Sequence, residues 1–240
     1  MSPVALHLSP HPDDELIGAP ATLMALRDAG WRVVNLACGL GSRPGERRRR
    51  EAELREACER AGFELVLGKE VDVAVAELQP AVVVSPSPRD RHPAHEVVAA
   101  AAREALESRA GEAPRWWMWG LWGPLERPTL GAGFGDGRLR EILTALAAHR
   151  GELERNDYRR LVRGRAEANA CLAPELLFGF GAEAVPELRF AELLTELVST
   201  PSGWRLGTNR WLDPEQPLAA PTATDAARLA DPAGAGERDL

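Results

Sequence analysis

The chain has 240 residues, 45% hydrophobic and 27% charged, which is the composition of a globular domain with a substantial core. A formal net charge of -7 argues against a nucleic-acid partner. Cys38, Cys58 and Cys171 are scattered and form no CxxC pair, which excludes a disulfide framework or a cysteine zinc site as an expectation. No apolar stretch reaches the roughly 20 residues of a membrane span, and no signal-peptide pattern opens the chain, so the expectation is a cytoplasmic protein.

Val4, Leu6 and Leu8 alternate with other residues, the period of a strand, and Leu16 to Leu26 reads as mostly helix with a stop at Gly30. Between them lies His11-Pro12-Asp13-Asp14-Glu15, one imidazole and three carboxylates on the bend after a strand, where ligands bind in open α/β sheets. Adjacent carboxylates raise one another's pKa. Two readings resolve the conflict: an aspartate caps the helix, or a divalent metal takes the His and one Asp and leaves the other as a base. Zinc accepts this nitrogen and oxygen mixture, and iron or cobalt could occupy the same ligands.

Trp31 to Cys38 reads as a second strand, 39–45 as a glycine-rich rim loop without a phosphate-binding pattern, and 46–61 as a charged helix stopped by Gly62. The run Arg47 to Arg50 spreads around that helix at ~100° per residue, so one or two of the four can face a pocket. Strand 63–67, helix 71–78 and strand 81–85 follow, the last leading into Asp90-Arg91-His92-Pro93-Ala94-His95 and a strong helix over 97–106. Pro93 suits the first helical position, and His92 and His95, three apart, can address one point. His11, Asp14 and His95 then make a two-His, one-carboxylate set, the pattern of a catalytic zinc with a position left for water.

Further on, Trp116, Trp117, Trp119 and Trp122 crowd one strand, read as a core or dimer strand or as a sugar-stacking or lipid-contacting platform. The stretch 131–137 is expected as a mobile loop, 138–149 and 159–172 as helices, 176–181 as strand or loop and 188–198 as a helix. From Pro214 the composition turns to Pro, Ala, Gly and Asp. The expected organisation is a single domain over 1–213 and a disordered tail over 214–240. The fold class expected is α/β, a Rossmann-like, mostly parallel sheet flanked by helices.

The motifs over residues 1–150 resemble the LmbE-like, or PIG-L, family of zinc-dependent N-deacetylases. Ser9 to Glu15 is similar to the family's H-P-D-D-E signature and His92 to His95 to its H-P-D-H signature. Arg50-Glu51-Ala52-Glu53-Leu54 is similar to its R-x-x-E-L helix, and Ala148-His149-Arg150 to a weaker later pattern. The resemblance implies zinc on His11, Asp14 and His95, Asp13 as general base, His92 as electrophilic or general-acid partner, and Arg50 on the substrate's sugar hydroxyls. The family's Asp between the histidines is Ala94 here, with Asp90 the candidate substitute for its orienting role.

The function this implies is hydrolysis of the acetamide of an N-acetylglucosamine-containing small molecule or conjugate. The alternatives are an amidase for a longer N-acyl group and a sugar-binding member of low activity; a nucleotide-binding protein is disfavoured by the missing glycine pattern. No nucleic acid and no membrane span are expected, and a homo-oligomer is compatible with the chain.

Overall fold

The computed structural model describes residues 2–109, 113–185 and 187–219. Its nine strands are β1 (Val4–Ser9), β2 (Arg32–Ala37), β3 (Glu64–Leu67), β4 (Val82–Pro86), β5 (Arg115–Trp119), β6 (Leu130–Phe134), β7 (Phe190–Thr200), β8 (Gly203–Leu206) and β9 (Arg210–Trp211). Helices α1 (Asp14–Ile17), α2 (Pro20–Asp28), α3 (Arg47–Ala61), α4 (Val71–Leu78), α5 (Pro93–Glu107), α6 (Asp136–Leu146), α7 (Arg150–Arg155) and α8 (Tyr158–Phe178) connect them.

The strands form one sheet in the order β3-β2-β1-β4-β5-β7-β6-β9, with β8 alongside β7. From β3 to β5 all pairings are parallel, and β7 runs antiparallel to both β5 and β6. The architecture is Rossmann-like and α/β. Chain order reverses beside β1, which lies between β2 and β4; the crevice beyond the carboxyl ends of such strands is where ligands bind.

Both faces of the central strands are buried, as a parallel sheet covered by helices requires. Alternation along each strand divides the core. Ala5, Val82, Val84, Trp117 and Trp119 pack with α1, α2, α3, α6 and α8 residues, whereas Leu6, Leu8, Val83, Trp116 and Met118 pack with α4 and α5. The tryptophan strand is therefore core over Trp116, Trp117 and Trp119, and Trp122 lies beyond its end, 47% exposed.

The structure departs from the expectations at five places. The predicted loop 131–137 contains strand β6: Gly131 and Gly133 serve close packing, since an added Cβ would lie 2.6 Å from Trp211 and 2.5 Å from Leu188 respectively. The predicted helix 188–198 is strand β7, because its carboxylates are satisfied inside the sheet rather than on a solvated helix face. Glu192 accepts from the Ala21 and Thr22 N–H groups at 2.7 and 2.8 Å, and Glu196 accepts from Trp117 Nε1 and pairs with Arg210. Helix α8 runs on through Phe178, and the predicted helix 138–149 ends at Leu146. Of the predicted tail, 220–240 lies outside the described residues, whereas residues 214–219 touch the fold: Pro217 O accepts from Arg210 and Leu218 packs against the core.

Candidate active site

The two histidine motifs end adjacent parallel strands. His11 to Asp13 follows β1, and Asp90 to His92 follows β4, which pairs with β1 in register. Pro93 starts α5 with its fixed φ, placing His92 just before the helix and His95 in its first turn. His11, Asp13, Asp14, His92, His95 and Arg50 all line one cavity of about 870 Å³.

At its floor, Asp14 stands between two imidazoles. Its Oδ2 is 3.2 Å from His11 Nδ1 and accepts the His11 backbone N–H at 2.7 Å; its Oδ1 is 3.5 Å from His95 Nε2. Burial pushes the Asp14 carboxyl up, but the hydrogen bond from His11 and the His95 and His11 rings outweigh it and hold the pKa below its ordinary value. The nitrogen atoms of His11, His92 and His95 also lie within 4.8 Å of one another. His92 Nδ1 is buried without a hydrogen-bond partner. Burial lowers the His92 pKa, and the neighbouring His95 and His11 rings lower it further. A buried carboxylate, three convergent imidazoles and one unpartnered ring nitrogen suit a divalent cation of the nitrogen and oxygen class.

Asp13 has φ 122° and ψ -26°, a left-handed backbone strained for a residue with a Cβ by about 1–3 kcal/mol. Glu15 holds it there. Its Oε2 accepts the Asp13 N–H at 3.0 Å, and its Oε1 lies 2.5 Å from Nε2 of His149, both side chains being fully enclosed. The Asp13 carbonyl meanwhile accepts the first helical N–H groups of Leu16 and Ile17. Burial raises the Asp13 side-chain pKa well above the carboxylate range; Asp14, Glu15 and Glu152 add to this and Arg50 opposes it. A carboxyl so placed beside, rather than within, the imidazole cluster is positioned to hold and release a proton.

Asp90 takes the orienting role, and it acts on His95. Its Oδ2 is 2.7 Å from His95 Nδ1, while its Oδ1 accepts from the backbone N–H groups of Leu121, Trp122 and Gly123 at 2.5, 3.0 and 3.3 Å. Ala94 leaves no carboxylate between the histidines. One side wall carries Arg50, whose Nη2 lies 3.0 Å from Glu152 Oε1, and Arg155 reaches the other oxygen of Glu152. Gly41, at φ +88°, lies under Arg50: a Cβ there would sit 1.9 Å from its Nη1. Glu152 and Tyr158, which also line the cavity, were not singled out in the sequence; their neighbour His149 belongs to the weak later pattern. Trp122 also lines the cavity, its ring centroid 6.3 Å from that of His92.

Residues 6–72 match a family model described as PIG-L: GlcNAc-PI de-N-acetylase. No curated protein matches the chain. Among solved structures, N,N'-diacetylchitobiose deacetylase from Pyrococcus horikoshii is similar over 93% of this chain and 88% of its own, at 17% identity and a TM-score of 0.58. The zinc-inhibited form of a teicoplanin deacetylase is similar over 83% of this chain and 100% of its own, at 14% identity and a TM-score of 0.62. A 4-carboxy-2-hydroxymuconate hydratase from Pseudomonas putida KT2440 is similar over 81% of this chain and 95% of its own, at 16% identity and a TM-score of 0.65. The last shows that this fold hosts more than one chemistry. Residues 6–72 are thus similar to the PIG-L (LmbE-like) family, and the fold that carries them is shared with these solved structures.

Proposed function

We propose that the protein is a metal-dependent N-deacetylase that hydrolyses the acetamide of an N-acetylglucosamine-containing small molecule or conjugate. The observation that carries this reading is the spacing of Asp14 from His11 and His95, 3.2 and 3.5 Å. Ligand atoms about 2.0–2.1 Å from a tetrahedral zinc are about 3.4 Å apart. Measured to the two oxygens of one carboxylate, these distances support His11, Asp14 and His95 as the set that would hold the metal, with the His92 ring beside it, the nitrogen atoms of the three imidazoles lying within 4.8 Å of one another. Bound there, a zinc ion would supply Lewis acidity towards water and the acetyl carbonyl.

The chain's own groups do the rest. Asp13, with its raised pKa, takes a proton from the attacking water and delivers it to the departing amine, so that acetate and free amine leave together. His92 would stabilise the developing oxyanion as the electrophilic or general-acid partner. Arg50 and Glu152 present paired donors and acceptors to sugar hydroxyls. Asp90 keeps the proton of His95 on Nδ1 and leaves Nε2 free.

The test is amine release from a panel of N-acetylglucosamine conjugates and longer N-acyl analogues, with protein loaded with one equivalent of zinc and Asp13→Asn as control. Release from the acetyl compounds by the wild type, at least about 10²-fold above the variant, is expected. An Asp13→Asn variant with undiminished turnover would remove Asp13 as the base. A zinc-bound wild type that releases no amine from any member would refute the deacetylase reading. Preference for a longer chain would move the substrate to the N-acyl amidase class.

A further inference from the structure

Trp122 stands apart from the other tryptophans of its segment. Trp116, Trp117 and Trp119 are buried in the core, whereas Trp122 lies on the cavity wall with nearly half its surface open. Its ring is inclined 34° to that of His92. The rest of the wall is dominated by charged groups, Arg50 and Glu152 among them, and an exposed indole there serves no core.

The backbone beneath the ring is also held in place. The backbone N–H of Trp122 and those of its two neighbours are fixed by Asp90 Oδ1, while the other oxygen of the same carboxylate holds His95. Gly123 lets the turn close, since a Cβ there would lie 2.5 Å from Arg89 O. Behind the loop, the half-buried Arg165 donates to Gly120 O and, at 2.9 Å, to Ile17 O. The backbone that carries the indole therefore keeps a set position relative to the histidine cluster before any ligand arrives, which lowers the ordering cost of binding.

A pyranose has a polar rim and an apolar face of C–H groups. The face complements the negative face of an aromatic ring, and the rim complements guanidinium and carboxylate. From this geometry we infer that Trp122 is the stacking platform for the sugar ring of the substrate and a specificity-determining contact of this site. The inference rests on the deacetylase reading for its reaction, but binding alone can test it. A contact made equally in the ground and transition states changes KM rather than kcat.

The experiment compares wild type, Trp122→Ala and Trp122→Phe, each zinc-loaded. It measures kinetics on methyl N-acetylglucosaminide and on the non-sugar acetamide N-acetylethanolamine, and sugar affinity by ligand-observed NMR. The Ala variant is expected to raise KM and Kd for the sugar on the order of tenfold, with kcat and zinc stoichiometry retained. The Phe variant is expected to recover most of the loss, and the non-sugar amide to be indifferent. Unchanged sugar affinity in Trp122→Ala, or equal losses on both amides, would overturn the platform. If the wild type binds the sugar saturably but releases no amine, the reaction is wrong while the Ala variant still decides the platform. If the wild type binds no sugar, both fall.

Discussion

Replacing Asp90 by Asn exchanges a carboxylate oxygen for an amide NH2 and so moves a proton on His95. The side chain is fully buried, with Oδ1 satisfied by three backbone N–H groups and Oδ2 by His95 Nδ1 at 2.7 Å. An Asn can keep its oxygen on the three N–H groups only by turning its amide towards His95. That forces the proton of His95 from Nδ1 to Nε2, the atom 3.5 Å from Asp14, and removes the lone pair a metal needs. Loss of such an orienting partner lowers metal affinity about 10–100-fold, or about 1.4–2.7 kcal/mol. Asp90→Ala acts differently, leaving three N–H groups without an acceptor at about 1–3 kcal/mol each, less whatever water recovers at the loop. Competition against a chelator of known zinc affinity, with urea unfolding of the metal-free protein alongside, separates the two. Weakened zinc binding with near-native metal-free stability is expected for Asn, and lost stability for Ala. Wild-type zinc affinity in Asp90→Asn would refute the argument, since either His95 Nε2 is not a ligand or Asp90 does not set its tautomer.

Removing Arg50 leaves Glu152, 7% exposed, with one partner fewer in a nearly buried wall. Arg50→Leu should cost about 3 kcal/mol in urea unfolding and also raise KM for the sugar substrate. Gly18→Ala would place a Cβ 2.6 Å from the fully buried Trp119 ring; overpacking of about 1–3 kcal/mol should appear in the same unfolding assay. For Asp28, partial burial pushes the carboxyl up, and hydrogen bonds from Arg138 and Arg27 outweigh it, so the folded pKa lies below 3.8. Its contribution to stability is therefore complete above pH 3.8 and lost as pH falls through the lower folded value. In acid titrations of unfolding free energy, Asp28→Asn should flatten that limb and leave the neutral limb unchanged in slope.

The parts of this molecule that could be read from the sequence are those decided by neighbours in the chain. Alternation in Val4 to Leu8 and the unbroken apolar run Ala81 to Val84 reflect strands buried on both faces, and Gly62 at φ 70° ends α3 as a left-handed residue should. The histidine motifs stood out because costly groups were concentrated at strand ends, and all six candidate side chains line one cavity. What could not be read depends on partners far away in sequence. Glu192 and Glu196 look like the polar face of a helix until their acceptor duties to Ala21, Thr22 and Trp117 are known. Gly131 and Gly133 look like a hinge until Trp211 and Leu188 are placed against them. The clamp on Asp13 needs His149, 134 residues from Glu15.

The reach of Glu192 bears on where the molecule can be cut. The helix that follows the first motif begins at Pro20, and the N–H groups of Ala21 and Thr22 in its first turn are satisfied by a carboxylate from β7. The matched segment 6–72 thus contains the first signature but not the group that closes the helix behind it. A fragment ending before β7 would keep both histidine motifs while orphaning those donors and removing the strand between β5 and β6. The signature is not a portable module: grafts or deletions that spare every motif residue near the start will fail unless the distant strand comes with them.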